Sequence, residues 1–278
     1  VGAIPFCKMH GLGNDFVIID QRARDFALGP AALKKLADRR YGVGCDQILF
    51  LERPDSAEAL ARYRVVNSDG SPAEHCGNGI RCVARLLARR GEVAGEQLTV
   101  EIDSRLFTLF LTGDSAVKVD MGAPVFEPEL IPLNESRPQD SYSVPTADGE
   151  VEFGAVSMGN PHAVIEVPDS SAVDVPVKGA AFQATGRYPR GVNVGFMQIL
   201  GDDDIRLRVF ERGVGETPAC GTGACAAVVI GRCWGRLSGR VRVQLPGGDL
   251  FIEWSGREND AVWMTGPTEF VFEGKVYL

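Results

Sequence analysis

The sequence predicts an α/β (α+β) protein of two pseudo-symmetric halves, each a mixed or antiparallel sheet wrapped around a central helix, with the active site in the cleft between them. Three observations predict it. A cysteine turn occurs twice, as HCGNGIRC (His75 to Cys82) and as ACGTGACA (Ala219 to Ala226), with Cys220 lying 144 positions after Cys76. At that same offset RYRVVN (Arg62 to Asn67) falls on RLRVFE (Arg206 to Glu211), so that Asn67 matches Glu211. At an offset of 146, GNDFVII (Gly13 to Ile19) resembles GNPHAVI (Gly159 to Ile165). Self-similarity at a fixed spacing marks a repeated structural unit, and each copy reads as strands, a cysteine turn, a helix, then more strands.

Along the chain, a first helix begins in PAALKKLADRR at Pro30, with proline at its first position, and packs outside the first half. The alternation in Arg62 to Val66 has strand periodicity. After the first turn Ile80, Val83, Ala84 and Leu87 recur at helical spacing until Gly91 closes the helix. Leu109 to Val119 reads as a hairpin turning on glycine, and VKVDMGAP (Val117 to Pro124) is loosely echoed by VWMTGP (Val262 to Pro267). Pro124 to Glu150, rich in Pro, Ser and acidic residues, is the weakest join. In the second half Arg206 to Phe210 is a strand, and the helix from about Thr222 to Trp234 is apolar on nearly every face before Gly235 stops it. Such a helix is a buried one, with strands wrapped about it. Val243 to Trp254 forms the second glycine hairpin.

Composition narrows the function. At 278 residues with 45% hydrophobic and 24% charged residues, the chain has ample material for a core. A net charge of -8 and a pI near 5.1 argue against a nucleic-acid partner or an anionic membrane surface, both of which need a basic face. The N-terminus lacks a basic region followed by an unbroken apolar run, so no secretory signal is expected. The longest uncharged run, Thr217 to Gly231, is shorter than the roughly 18 residues that span a bilayer. An odd count of seven cysteines fits a reducing, cytoplasmic compartment better than a disulfide scaffold.

A C-G-x-G turn entering a helix places the cysteine beside backbone N–H groups that have no intrahelical partner, where the helix dipole favours negative charge. That geometry suits both a thiolate and a bound carboxylate. The dipole is worth about 0.3–1 kcal/mol, and up to roughly 2 when partly buried, against about 1.4 kcal/mol per pKa unit. A thiol near 8.5 is therefore expected to fall by about one unit. With the two turns facing each other, a carboxylate would receive N–H donors from Gly77, Asn78, Gly221 and Thr222, with one sulfur on each face of its α-carbon. Two single-proton groups on opposite faces make a racemase or epimerase.

Other readings of the turns are open at this level. They could be helix entries with buried, inert thiols. A zinc site is disfavoured because the close spacings are C-x5-C and C-x4-C rather than C-x2-C pairs. A cysteine hydrolase could draw on His10, His75 or His162, but would not explain the duplication. No P-loop or dinucleotide-binding glycine turn follows a strand, and nothing favours a pyridoxal site.

The motifs KMHGLGNDF (Lys8 to Phe16), GVGCDQ (Gly42 to Gln47), NSDGSPAEHCGNGIRC (Asn67 to Cys82), GNPHAV (Gly159 to Val164), GVNVGF (Gly191 to Phe196) and ERGVGETPACGTGA (Glu211 to Ala224) resemble those of the diaminopimelate epimerases, over essentially the whole length. The order and spacing of the set separate that family from proline racemases and phenazine-type isomerases. The resemblance implies cofactor-independent epimerisation of LL- to meso-2,6-diaminopimelate, without a metal, in lysine and peptidoglycan precursor synthesis. It implies Cys76 and Cys220 as the acid/base pair. Gly77, Asn78, Gly221 and Thr222 would bind the reacting carboxylate. Asn14, Gln47, Asn67, Asn160, Asn193, Glu211 and Arg212 would contact substrate, and His162 and Glu211 would tune the thiols. A diamino diacid does need a cation such as Arg212 for its distal carboxylate and an acceptor such as Glu211 for an ammonium. His75 departs from the pattern, since relatives often carry Gln before the first cysteine. A homodimer is also implied, as is a last strand that crosses back to the first half. The expected halves are residues 1–121 plus 267–278, carrying Cys76, and residues 122–266, carrying Cys220.

Overall fold

The computed structural model describes residues 2–72, 77–103, 105–146 and 149–278. The chain forms two compact units, Val1–Val119 with Gly266–Leu278, and Asp120–Thr265. In the first unit, β1 (Ile4–Gly11) and β2 (Asn14–Asp20) pair antiparallel, and helix α1 (Pro30–Ala37) leads to β3 (Gln47–Glu52), parallel to β2. Strand β4 (Ala61–Asn67) returns antiparallel to β3 and is followed by helix α2 (Gly77–Arg89). Then come β5 (Gln97–Ile102), parallel to β4, and the antiparallel β6 (Arg105–Thr112) and β7 (Ala116–Asp120). The closing strand of the chain, Glu269–Val276, pairs antiparallel with β1.

Strands β2 and β3 are covered on both faces, which is why FVII and ILFL read as unbroken apolar runs rather than alternations. Val17, Ile19, Ile48 and Phe50 pack with Leu33 and Leu36 of α1 in one cluster. On the other face Phe16 and Leu49 approach Gly79 of α2. Helix α2 lies against β1, β2, β5, β6 and the closing strand, at the centre of its unit, with Ile80, Val83, Ala84 and Leu87 all fully buried.

The second unit begins with β8 (Tyr142–Thr146), β9 (Gly149–Ser157) and β10 (Pro161–Glu166), successive neighbours paired antiparallel. Helix α3 (Val175–Gln183) leads to β11 (Asn193–Gly201), parallel to β10, and β12 (Asp204–Glu211) pairs antiparallel with β11. A short β13 (Gly215–Thr217) precedes helix α4 (Gly221–Cys233). Strand β14 (Arg240–Leu245) is parallel to β12 and continues into antiparallel β15 (Gly248–Glu253) and β16 (Trp263–Pro267). Every residue of α4 from Gly221 to Gly231 is buried, against β9, β10, β11, β12 and β15. The run β10, α3, β11, β12, α4, β14 thus repeats β2, α1, β3, β4, α2, β5 with the same parallel and antiparallel senses.

Two sequence readings change. Pro124 to Glu150 is not a loose join: Ile131, Leu133, Tyr142 and Val144 are buried in the core of the second unit, and Val125 bridges to Ser157. Its four apolar anchors come as two short pairs, Ile131 with Leu133 and Tyr142 with Val144 of β8, too brief among prolines and acids to stand out as a period. Helix α3 went unpredicted because VPVKGAAFQ buries only Val175, Gly179 and Phe182. Its one local signal is Asp174, whose side chain accepts from Val177 N, with Pro176 in the first turn. Among the described residues no helix is long and apolar enough to cross a membrane.

Candidate active site

In each unit the residues singled out by the motifs stand at strand ends beside a helix N-terminus. In the first, Asn14 opens β2, Gln47 opens β3 and Asn67 ends β4; Phe16 pairs with Gln47, and Gln47 with Asn67, so the strand ends are level. Gly77 and Asn78 form the first turn of α2, where Asn78 is buried. Gln47 Nε2 donates to Asn67 Oδ1 at 3.1 Å, and Asn67 Nδ2 donates to Ser71 Oγ at 3.1 Å. Gln47 Oε1 is buried with no hydrogen-bond partner among the described residues, an acceptor suited to an incoming ammonium. Asn14 Oδ1 accepts from Asn78 Nδ2 at 3.3 Å. Cys76 and His75 lie outside the described residues.

Behind Asn14 is an ion cluster that the motif reading did not assign. Asp15 accepts from Lys8 Nζ at 2.6 Å and from two nitrogens of Arg39 at 2.8 and 2.9 Å, and Lys8 also donates to the Gly44 carbonyl. Burial works to raise the Asp15 carboxyl, but the hydrogen bonds from Arg39 and Lys8 outweigh it and hold the group well below the usual carboxylate range. Arg81 is also buried completely; it donates to Gly77 O at 3.2 Å and to Asn78 Oδ1 at 2.8 Å. The available signal was a charge inside an apolar element, Lys8 in IPFCKMHG and Arg81 in GNGIRCVARLLAR. A buried charge needs partners nearby.

In the second unit Cys220 is the N-cap of α4, in extended conformation, with Gly221 and Thr222 in the first turn. Its Sγ lies 3.7 Å from Thr222 Oγ1. Glu211, at the end of β12, accepts from Thr217 Oγ1 and interacts with the Cys220 thiol. Asn193 opens β11 in register with His162 of β10; its Nδ2 donates to Pro161 O at 3.2 Å and its Oδ1 accepts from Arg212 N at 2.9 Å. His162 Nε2 lies 2.9 Å from Asn160 Oδ1, and since an amide oxygen only accepts, Nε2 carries the proton. The Arg212 side chain donates to Arg190 O at 3.0 Å and lies across Gly191, where a Cβ would come within 2.8 Å of Arg212 Cδ. Gly191 also has φ +74°, so a side chain is excluded twice over.

Electrostatics at Cys220 differ from the expectation of a lowered thiol. Burial pushes the Cys220 thiol well above its ordinary value, and the Glu211 carboxylate adds to the rise. With only 5% of the residue exposed, the loss of hydration outweighs a helix dipole worth about one unit. Glu211 is raised too, first by burial, against the opposing hydrogen bonds from Thr217 and Cys220. His162 is pushed down to about 3, by burial first and then by the Arg212 charge. A protonated thiol and a reluctant carboxylate therefore meet at the N-terminus of α4, and the buried His162 of β10 is a neutral imidazole. Among the described residues no group of three or more His, Cys, Asp or Glu side chains is placed to hold a metal ion.

Comparison with known proteins shows the fold and the family. A hydroxyproline epimerase from Agrobacterium vitis, solved with bound trans-4-hydroxy-L-proline, superposes with a TM-score of 0.71 at 15% identity, over 99% of this chain and 92% of that one. A Bacillus anthracis phenazine biosynthesis protein of the PhzF family gives 0.69 at 16% identity over the whole of both chains. At these identities the likeness is one of fold. Sequence goes further. Proteins named diaminopimelate epimerase from Halorhodospira halophila and Alkalilimnicola ehrlichii are 50% identical over 273 residues (98% of this chain, 95% of that one) and 51% identical over 277 (99% of each). The diaminopimelate epimerase family model matches residues 6–127 and 154–271, two segments that each contain one C-G-x-G turn. The chain belongs to the diaminopimelate epimerase family.

Proposed function

We propose that this protein is an isomerase that converts LL-2,6-diaminopimelate to meso-2,6-diaminopimelate, a step of amino-acid biosynthesis that serves lysine and peptidoglycan precursors. The observation that carries the chemistry is Cys220 at the N-terminus of α4, with its proton held and Glu211 beside it. Cys76 is its counterpart in the repeat, and the two form a two-base pair that works without a cofactor. One thiolate takes the α-proton and becomes a thiol. The electron pair left at the α-carbon spreads into the carboxylate, which the N–H groups of Gly77, Asn78, Gly221 and Thr222 stabilise; one such donor is worth about 2.7–4 kcal/mol in other enzymes. The second cysteine delivers its proton to the opposite face and becomes the thiolate. Burial and Glu211 favour the protonated form of Cys220, and each stereoisomer reacts with the form of the pair whose thiolate faces its α-proton.

Asn14, Gln47, Asn67, Asn160, Asn193, Glu211 and Arg212 are assigned to substrate, with Gln47 Oε1 and Glu211 as acceptors for ammonium and Arg212 for the distal carboxylate. His162 and Glu211 tune the thiol. The enzyme acts in the cytoplasm as a homodimer, each chain divided into a half with Cys76 and a half with Cys220. The test is α-proton exchange and epimerisation of LL- and meso-diaminopimelate in deuterated buffer, with free proline as the control. Cys76→Ala and Cys220→Ala should each abolish epimerisation and Cys82→Ala should not. Most of the activity surviving in Cys76→Ala would sink the two-base reading, and equal turnover of proline would favour a proline racemase.

A further inference from the structure

Four polar side chains of the first unit lie head to tail. Arg81 Nη2 donates to Asn78 Oδ1 at 2.8 Å, Asn78 Nδ2 donates to Asn14 Oδ1 at 3.3 Å, and Asn14 Nδ2 donates to Asp46 Oδ2 at 3.2 Å. A guanidinium has only donors and a carboxylate only acceptors. Turning either amide over would place NH2 against Arg81 or oxygen against Asp46. The charges at the two ends therefore choose the same direction for both amides, and each charge-assisted bond is stronger than a neutral one. The cationic end is fully buried and Asn78 is 1% exposed, so water competes little there. At the anionic end Asp46 is fixed by Arg39 Nη2 at 2.7 Å and by the Asp15 backbone N–H at 3.2 Å.

We propose that Asp46 and Arg81 are positioning residues that orient Asn14 and Asn78 for the substrate, acting through those amides rather than by contact. The proposal rests on the function proposed above. Among the described residues the second unit shows no such relay: at the offset of the cysteine turns Asn78 falls on Thr222 and Arg81 on Cys225, and Asn160 is held by His162 instead. The relay therefore marks the half that carries Cys76 and makes the two halves unequal in how they grip a substrate.

Kinetics and spectroscopy test this separately. With diaminopimelate as substrate, Asp46→Ala should raise KM by about tenfold or more, the scale of one lost charge-assisted hydrogen bond, with kcat changed much less. Arg39→Met removes the same Arg39–Asp46 ion pair but leaves Asp46 on Asn14, held by the Asp15 backbone N–H, and should move KM by less than about threefold. Equal KM shifts in the two variants would overturn the proposal, since the ion cluster alone would then account for both. Arg81→Lys keeps the charge but moves its donors, and in the substrate-free protein its effect should travel. The side-chain NH2 signals of Asn14 in a 15N–1H spectrum should shift, although Arg81 is not Asn14's partner. Asn14 signals unmoved by Arg81→Lys would also overturn it. This readout needs no turnover, so a wild-type protein inactive on diaminopimelate would count against the proposed function while the spectra still decided the relay.

Discussion

His162 and Glu211, both buried in the second unit, have opposite linkage to pH. An unfolded histidine titrates near 6.5, whereas His162 in the fold is pushed down to about 3. Between those values the unfolded chain binds a proton that the folded one refuses, so stability falls as pH drops through the window, by up to about 1.4 kcal/mol per pH unit. His162→Phe, which installs the residue found at the matching position 16, should flatten that slope. Urea unfolding at pH 7, 6 and 5 should show the variant gaining on the wild type with each step, and parallel losses would refute it. Glu211 runs the other way. Its folded carboxyl is raised, chiefly by burial, so the unfolded chain gives up this proton first, and stability declines as pH rises through the window and stays lower at neutral pH. Glu211→Gln should therefore raise Tm at pH 7 while activity falls by about a hundredfold or more. A fall in Tm would mean that the carboxylate is better compensated than its burial implies. Sequence identified both residues, but neither charge state, because burial sets both.

At the scale of elements, α4 is held so closely that single methyl groups separate site from scaffold. A Cβ on Gly223, in its first turn, would lie 3.2 Å from Cys220 Sγ and 3.1 Å from Val209 Cγ2. A Cβ on Gly154 of β9 would fall 2.3 Å from Ile230 Cγ2, nine residues beyond the start of α4. Gly223→Ala should push the thiol aside and lower kcat/KM by about tenfold or more, while better helix propensity offsets part of the crowding in stability. Gly154→Ala should cost about 1–3 kcal/mol of stability by overpacking and leave the kinetic constants of the folded fraction near wild type. Kinetics and urea unfolding on the pair check this; a Gly223→Ala protein of full activity would show that the first turn tolerates displacement of the sulfur. Both central helices were legible in sequence because their apolar spacing is local. Helix α3 was not, since its packing against β11, β12 and β13 rests on three buried residues.

For the whole molecule, the last strand binds the two ends of the chain together, because Glu269–Val276 pairs along β1 from Ile4↔Val276 to His10↔Glu269. Deleting residues 269–278 should strip hydrogen-exchange protection from Ile4–Gly11, while β10, β11 and β12 of the other unit keep theirs; unchanged protection in β1 would show that β2 alone suffices to hold it. Sequence by itself determined the duplication, the two C-G-x-G turns, the central helices and the family. These are carried by residues adjacent in the chain or by spacings that repeat along it. Only the tertiary structure decided that Cys220 rests as a protonated thiol, that Pro124 to Glu150 belongs to a core, and that Arg81, Asn78, Asn14 and Asp46 form one relay across sequence separations of up to 64 residues. Desolvation and long-range hydrogen bonding do not exist until the chain has packed, and here they set the charge on the groups that would move the proton.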